Sequence, residues 1–334
     1  MVIGYYVHHR GAGHLHRALA IADALSVPVT ILSSLPRPAG VTLDWVHLPV
    51  DTDGGRESRA PGHRDANGML HWVPRASPAL RHRMAALAAW IDSAEPAAIV
   101  VDVSVEVALL ARLHGIPIVT VAQPGVRDDS AHRLGYDISD AIIAPWPPGI
   151  RALHSSPEIE GRLEAVGAIS RIATSPGTAH REPQHITVFS GQGGRGESAL
   201  QEVVDEARFF SRGYRWNVLA GASVAKVTAA LATSSLVISH CGQNAVAEIA
   251  ASRVPAIFVP EDRPHAEQES LARALGTAQM PARVVTPGSL RKLDWPSSLS
   301  AVAELDGETW APWCDGAAAT RAAAIILRVA GRSG

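Results

Sequence analysis

Two polar residues beside apolar runs are the first candidates for chemistry. His14 follows Gly11-Ala12-Gly13 and precedes Leu15, Leu19, Ala22 and Leu25, which recur at helical spacing. It would stand at a helix start, where a neutral imidazole can serve as a general base near pH 7. The plainer reading is an exposed cap residue. Asp102 ends the apolar run 97–101. A carboxylate at the end of a buried strand needs a partner. A His–Asp pair is the usual way to orient a general base, and an ordinary cap of the next helix is the alternative.

A second group lies in residues 239–268, SHCGQNAVAEIAASRVPAIFVPEDRPHAEQ. His240, Asn244 and Glu248 are spaced by four across a strand-to-helix junction. His240, Gly242 and Asn244 fall near a helix start, where backbone N–H groups suit diphosphate oxygens. Glu248, one turn further, could accept both hydroxyls of a ribose. Glu267 and Gln268 open another helix after the next strand and can meet the same cleft. The loop Gly191-Gln192-Gly193-Gly194 follows a strand and opens a helix. It can aim N–H groups at a phosphate, or it is a generic tight turn. It is not a P-loop, because the Gly-Lys-Ser/Thr ending is missing. His240, Cys241 and His265 include no tight ligand pair, so no metal is expected. Cys241 reads as a small buried residue rather than a nucleophile.

These residues need elements that alternate strand and helix. Strands are expected over 2–7, 28–32, 41–48, 99–103, 116–122 and 141–144, with helices over 15–25, 78–94 and 106–114. The pattern restarts with a strand at 185–189, a glycine loop and a helix at 197–210. Strands at 215–219, 236–239 and 256–259 follow, with helices at 244–252, 265–275 and 316–329. This order argues two α/β halves, each a parallel sheet with helices on both faces. Open α/β sheets bind ligands beyond the carboxyl ends of their strands. Residues 51–78 are polar, rich in Gly and Pro and without period, and are expected to form a substrate-side loop or a surface connection. Residues 174–184 read as a linker.

Composition narrows the class. The 334 residues carry 30 basic and 32 acidic side chains, a net charge of −2, which removes the footprint of a general nucleic-acid binder. Apolar residues make up 47%, enough for a sizeable core. The two cysteines, at 241 and 314, offer neither a disulfide framework nor a multi-cysteine metal site. The start lacks the basic and apolar regions of a signal peptide, and no run is long enough to span a bilayer, so a cytoplasmic protein is expected.

The segment 239–268 resembles the donor-binding signature of GT-B nucleotide-sugar glycosyltransferases. Its His-Cys-Gly-x-Asn core, at 240–244, is similar to that of secondary-product and antibiotic glycosyltransferases. The frame Glu248, Pro255, Val259-Pro260 and Gln268 equally resembles the MurG-like branch. The opening 13–19, GHLHRAL, is similar to the superfamily's N-terminal motif. The resemblance implies a GT-B fold, two Rossmann-like parallel-sheet domains facing across a cleft. It places an acceptor domain at 1–173, the linker at 174–184, a donor domain at 185–315 and a helix at 316–334 that packs back toward the N-terminal domain.

By the same resemblance His14 is the catalytic base and Asp102 its orienting acid. Gly191, Gln192, Gly193, Gly194, His240, Gly242 and Asn244 hold the donor diphosphate, Glu248 the ribose, and Glu267 and Gln268 the donor sugar. Glu267 stands where the family usually has Asp or Gln. The family also fits one more strand–helix unit than the roughly 40 residues between 196 and 236 would hold. The implied reaction is an inverting, metal-independent transfer of a sugar from a nucleoside diphosphate, UDP- or dTDP-linked, to the hydroxyl of a small-molecule or glycan acceptor. The nucleotide sugar is a co-substrate, and no other cofactor is implied. A nucleotide-sugar epimerase and an inactive nucleotide-sugar-binding protein are the alternatives. The state is monomer or homodimer, with no nucleic-acid partner, no membrane span, and peripheral membrane contact left open.

Overall fold

Short runs of β-branched and other apolar residues, buried on both faces, build the first sheet, as a parallel sheet covered by helices requires. Its strands are β1 (Ile3–Val7), β2 (Val29–Ser33), β3 (Asp44–His47), β4 (Ala98–Asp102), β5 (Ile118–Val121), β7 (Ala141–Ala144) and β9 (Leu163–Ala165). They lie in the order β3-β2-β1-β4-β5-β7-β9, all parallel. A small pair, β6 (Gly125–Val126) and β8 (Leu153–His154), stands apart. The second sheet contains β10 (His185–Ser190), β11 (Arg215–Ala220), β12 (Leu236–His240), β13 (Ala256–Val259) and β14 (Ala282–Val284), in the order β11-β10-β12-β13-β14. The computed structural model describes residues 1–9, 12–53, 62–175, 181–190, 197–286, 288 and 293–331.

Helices cover both sheets. In the first half they are α1 (Ala12–Ala24), α2 (Pro78–Ala94), α3 (Val105–Leu113), α4 (Ser130–Asp137) and α5 (Pro157–Glu160). In the second they are α6 (Glu197–Phe210), α7 (Val224–Thr233), α8 (Gln243–Ala251), α9 (Glu267–Thr277), α10 (Trp295–Ala303) and α11 (Ala318–Ala330). The long expected elements form with ends shifted by a few residues. The sequence reading lacked β6, α4, β8, α5, β9, β14 and α10. Five of these have four residues or fewer, too few to display a period. The interval after residue 196 holds α6, β11 and α7, and β11 is the outer strand of its sheet among the described residues. No helix among them is long and apolar enough to cross a membrane.

Each sheet reverses its winding once, beside β1 and beside β10, and the crevice beyond the strand ends opens there. Register pairs Val7 with Asp102, so β1 and β4 end together under the loop that leads to His14. The last helix belongs to the first sheet's core. Ala318, Ala322, Ile325, Ile326 and Val329 pack with Ile3, Tyr5, Leu15 and Ala18. Just before it, Trp310 donates Nε1–H to the Val254 carbonyl (2.8 Å), and the Trp313 carbonyl accepts from Ala168 N (2.9 Å). The chain end therefore ties the two sheets together. Ile326 is fully buried. Ile326→Ala is expected to cost about 2–5 kcal/mol in urea unfolding. A loss within about 0.5 kcal/mol, the range of ordinary surface substitutions, would show that α11 adds nothing to the core.

Candidate active site

The geometry is set by two strand ends and two helix starts. Asp102 is the last residue of β4 and is fully buried. His14 stands in the first turn of α1, and its Nδ1 lies 2.9 Å from Asp102 Oδ1. Arg17, one turn on, clamps the same carboxylate with two bonds, Nε to Oδ2 at 2.8 Å and Nη2 to Oδ1 at 2.7 Å. Gln123 Nε2 adds a contact to Oδ1 at 3.4 Å. Burial alone would raise the Asp102 pKa. The charges of Arg17 and then His14, with the hydrogen bonds both donate, together outweigh it and hold the carboxyl far below the usual carboxylate range. Burial would likewise lower Arg17, but Asp102 outweighs it and the guanidinium is raised.

An ionised Asp102 can only accept, so the His14 proton sits on Nδ1 and donates to it. Arg17 Nη2 is also 3.2 Å from that nitrogen, but its closer partner is Asp102. Nε2 is then the unprotonated nitrogen of a side chain that is 21% exposed. A fixed tautomer with a lone pair facing outward is the form a general base needs. His14 and Asp102 are the residues expected from the sequence, whereas Arg17 carries no signal there beyond its place three residues after His14, on the same helix face.

The opposing wall is α8. Arg17 Nη1 reaches across to Gln243 Oε1 at 2.7 Å. Gln243 Nε2 is buried and has no partner among the described residues. Gly242 precedes the helix without a side-chain cap, and a Cβ there would meet nothing within 4 Å among the described residues. The open helix start can therefore receive an anion. Gly13 permits a close approach, since a Cβ on it would lie 2.0 Å from Asn244 Nδ2. A second arginine repeats the bridge. Arg171 donates Nε to Glu248 Oε1 at 2.6 Å and places Nη1 3.4 Å from His16 Nε2. Burial and then Arg171 push the His16 pKa down to about 4, so the ring stays neutral and accepts. Glu248 is buried, which raises its pKa against the pull of Arg171. Arg171 lies just before the stretch read as a linker and was not singled out.

The remaining candidates are spread along β12, β13 and α9. His240 ends β12, with Nε2 3.2 Å from Glu261 Oε1. Gln268 is buried, and its Oε1 accepts from Cys241 N (3.1 Å) and Glu261 N (2.9 Å), which fixes two strand ends together. Glu267 is one-third exposed at the start of α9, 3.7 Å from Arg127. Burial raises the Cys241 thiol well above its ordinary pKa, which makes it inert as a nucleophile. Gly191, Gln192, Gly193 and Gly194 lie outside the described residues, as do 54–61 of the polar loop and 176–180 of the linker.

The described part of that loop reaches two cavities. Glu106 Oε1 accepts from His71 N (2.7 Å) and Trp72 N (2.8 Å) and so anchors it. One cavity, of about 430 Å³, is lined by His71, Val105, Gln123, His132 and Tyr136 among others. The second, of about 450 Å³, is lined by His8, Asp51, Trp72 and Arg83 among others. Gln123 touches Asp102, and the His8 ring lies edge-on to His14 at 6.3 Å, so the cavities flank the His–Asp pair.

A family model described as the glycosyltransferase family 28 C-terminal domain matches residues 182–293. No curated protein matches the chain. Solved structures match it from end to end. MurG of Acinetobacter baumannii is 14% identical with a TM-score of 0.61, over 98% of this chain and 99% of that one. A UDP-glucosyltransferase from Polygonum tinctorium capable of glucosylating indoxyl is 13% identical with a TM-score of 0.66, over 99% and 98%. The Streptomyces sp. SF2575 glycosyltransferase SsfS6, complexed with thymidine diphosphate, is 17% identical with a TM-score of 0.62, over 98% and 99%. At these identities the likeness is one of fold, and the fold is GT-B.

Arg17→Met leaves Asp102 buried without its main counter-charge, which is expected to cost about 3–5 kcal/mol in denaturant unfolding. Adding Asp102→Leu should recover part of that loss, and strict additivity of the two changes would show that the pair does not interact. The folded Asp102 pKa lies below its unfolded value. Its contribution is therefore complete above pH ~4 and is lost as pH falls toward the folded value. The acid limb of the stability curve should flatten in the double variant.

Proposed function

We propose that the chain is a glycosyltransferase that moves a sugar from a nucleoside diphosphate to an acceptor hydroxyl with inversion and without a metal in the transfer step. The observation that carries this is the His14–Asp102 pair, its Nδ1 proton held by the carboxylate, tied through Arg17 to Gln243 in the first turn of the uncapped α8. His14 Nε2 takes the acceptor proton as the oxygen attacks the anomeric carbon, and Asp102 stabilises the imidazolium that forms. The bond to the nucleoside diphosphate breaks on the opposite face, which inverts the centre. The leaving diphosphate gathers charge, and the α8 N–H groups, Gly242, Asn244 and His240 stabilise it, joined by the loop at 191–194.

The remaining roles follow from position. Glu248 receives the ribose hydroxyls once Arg171 yields one of its carboxylate oxygens. Glu267, at the exposed start of α9, takes donor-sugar hydroxyls, and Gln268 offers its amide beside it while holding β12 and β13 in place. Acceptors enter through the two cavities beside His14. UDP and dTDP are the donor nucleotides to test first, given the thymidine diphosphate bound to the similar SsfS6.

In the test, the wild-type chain and His14→Ala are titrated with UDP, dTDP and their sugars by calorimetry, and turnover is followed as nucleotide release with a panel of hydroxyl acceptors. His14→Ala should lower kcat by roughly 10²–10⁴-fold with nucleotide affinity unchanged. Binding without turnover in any wild-type reaction would instead mark a nucleotide-sugar-binding protein. Turnover without an acceptor would mark an epimerase. Gly13→Ala should weaken nucleotide binding, because its methyl group displaces Asn244; equal affinity would remove Asn244 from the diphosphate site.

A further inference from the structure

Three histidines and one aspartate meet beside the 430 Å³ cavity, from segments far apart in the chain. His71 comes from the polar loop, Asp129 and His132 from the start of α4, and His265 from the turn before α9 in the other domain. The rings stand in a row. The centroids of His71 and His132 are 4.4 Å apart, and those of His132 and His265 are 4.8 Å apart. The Asp129 carboxylate is their common centre, with His132 Nδ1 at 2.5 Å, His71 Nε2 at 3.4 Å and His265 Nδ1 at 3.9 Å. His71, Asp129 and His132 each offer a ligand atom, all within 4.8 Å of one another.

Two further facts bear on what such a cluster holds. Burial pushes His132 down to about 4 against the pull of Asp129, and burial lowers His265 as well. Both rings are therefore neutral at pH 7, the form that binds a metal. His265 is also held in left-handed backbone, φ 64°, followed by Ala266 at φ 51°. Two successive non-glycine residues there store strain, which persists only where the surroundings over-determine it. That backbone is what carries the His265 ring to its partners on the other domain.

We propose that His71, Asp129, His132 and His265 form a site for one divalent transition-metal ion of the zinc class, bridging the two domains at the cavity. Three imidazoles and a carboxylate are a donor set for a borderline-soft ion. Ligands about 2.0–2.1 Å from a tetrahedral ion lie about 3.3 Å apart. The His71–Asp129 separation of 3.4 Å already meets that, while His265, 3.9 Å from Asp129 but outside the set of ligand atoms within 4.8 Å of one another, must swing in furthest of the four. The 2.5 Å hydrogen bond from His132 opens as the ion enters. The His132 proton then moves from Nδ1 to Nε2, and Arg127 Nη1, now 3.2 Å from Nε2, turns away. The Arg127 Nε and Nη2 contacts to the Pro124 carbonyl can remain. The ion takes no part in the transfer step, and the site stands on geometry that is independent of it.

The test uses the full chain, stripped with chelator and titrated with Co²⁺ as a spectroscopic stand-in. One equivalent should bind and give the intense visible bands of a four-coordinate site. His71→Ala and His265→Ala, both on partly exposed side chains, should each weaken binding by more than the roughly 10–100-fold that outer-shell changes cost. Zn²⁺ should raise the Tm of the wild type and leave that of His265→Ala unmoved. His9→Ala, in the other histidine–aspartate cluster with His8 and Asp51, should bind as the wild type does. Absence of saturable binding, or binding that survives both His71→Ala and His265→Ala, would overturn the site. Binding lost only in His71→Ala would overturn the bridge between domains.

Discussion

The Asp102–Arg17 ion pair is the interaction on which the rest of the site depends. A carboxylate with no exposure stays ionised only when a cation is brought to it, and bringing one costs desolvation on both sides. A pair of apolar side chains of the same volume would serve stability as well or better. What they could not do is fix direction. The two-toothed contact sets the plane of the carboxylate, the carboxylate sets the tautomer of His14, and the third nitrogen of the same guanidinium reaches Gln243 on the other domain. One side chain thus holds the carboxylate that orients His14 and ties it to α8.

Arg171 makes a second bridge, beside Arg17 on α1 and five residues after Gln243 on α8. It joins His16 of α1 to Glu248 of α8, so the two helices are held at two points by buried or half-buried guanidinium groups. Arginine suits this work because its planar fork makes several directed bonds at once. Both helices begin at the cleft, and their positive ends converge on it. Such a field favours an anion over a neutral ligand. Burial pushes Glu248 toward its neutral form, and the pairing with Arg171 opposes that.

Much of this was legible in the residues. His14 and Asp102 stand out because each interrupts an apolar or glycine pattern at the end of an element, and β1 and β4 are long enough to show what they are. Arg17 was not legible. An arginine on an amphipathic helix is read as solvated, and its partner lies 85 residues away. Arg171 fell beside a stretch whose Pro and polar content suggested only a boundary. Spacing places Glu248 and Gln268 near the cleft, and the donor-sugar role expected of Gln268 comes only from the family resemblance. The groups already filling their oxygens could not be read from spacing, because hydrogen-bond occupancy is settled by packing between segments and leaves no local pattern. The strands β6, β8 and β9 escaped for the same reason, being ordered by their neighbours and too short to carry a period.

Strain marks the places where packing alone did not aim a side chain. Val103, immediately after Asp102, adopts φ 66°, a conformation rarely open to a β-branched residue. It turns the chain sharply, so that Asp102 keeps its place at the strand end while Ser104 caps α3 and Glu106 reaches back to the His71–Trp72 loop. His265 and Ala266 do the same on the other wall, setting Glu267 at the start of α9. At Val103 and at His265–Ala266 the turn is followed within three residues by a carboxylate that reaches another segment: Glu106 accepts from the His71 and Trp72 N–H groups, and Glu267 lies 3.7 Å from Arg127.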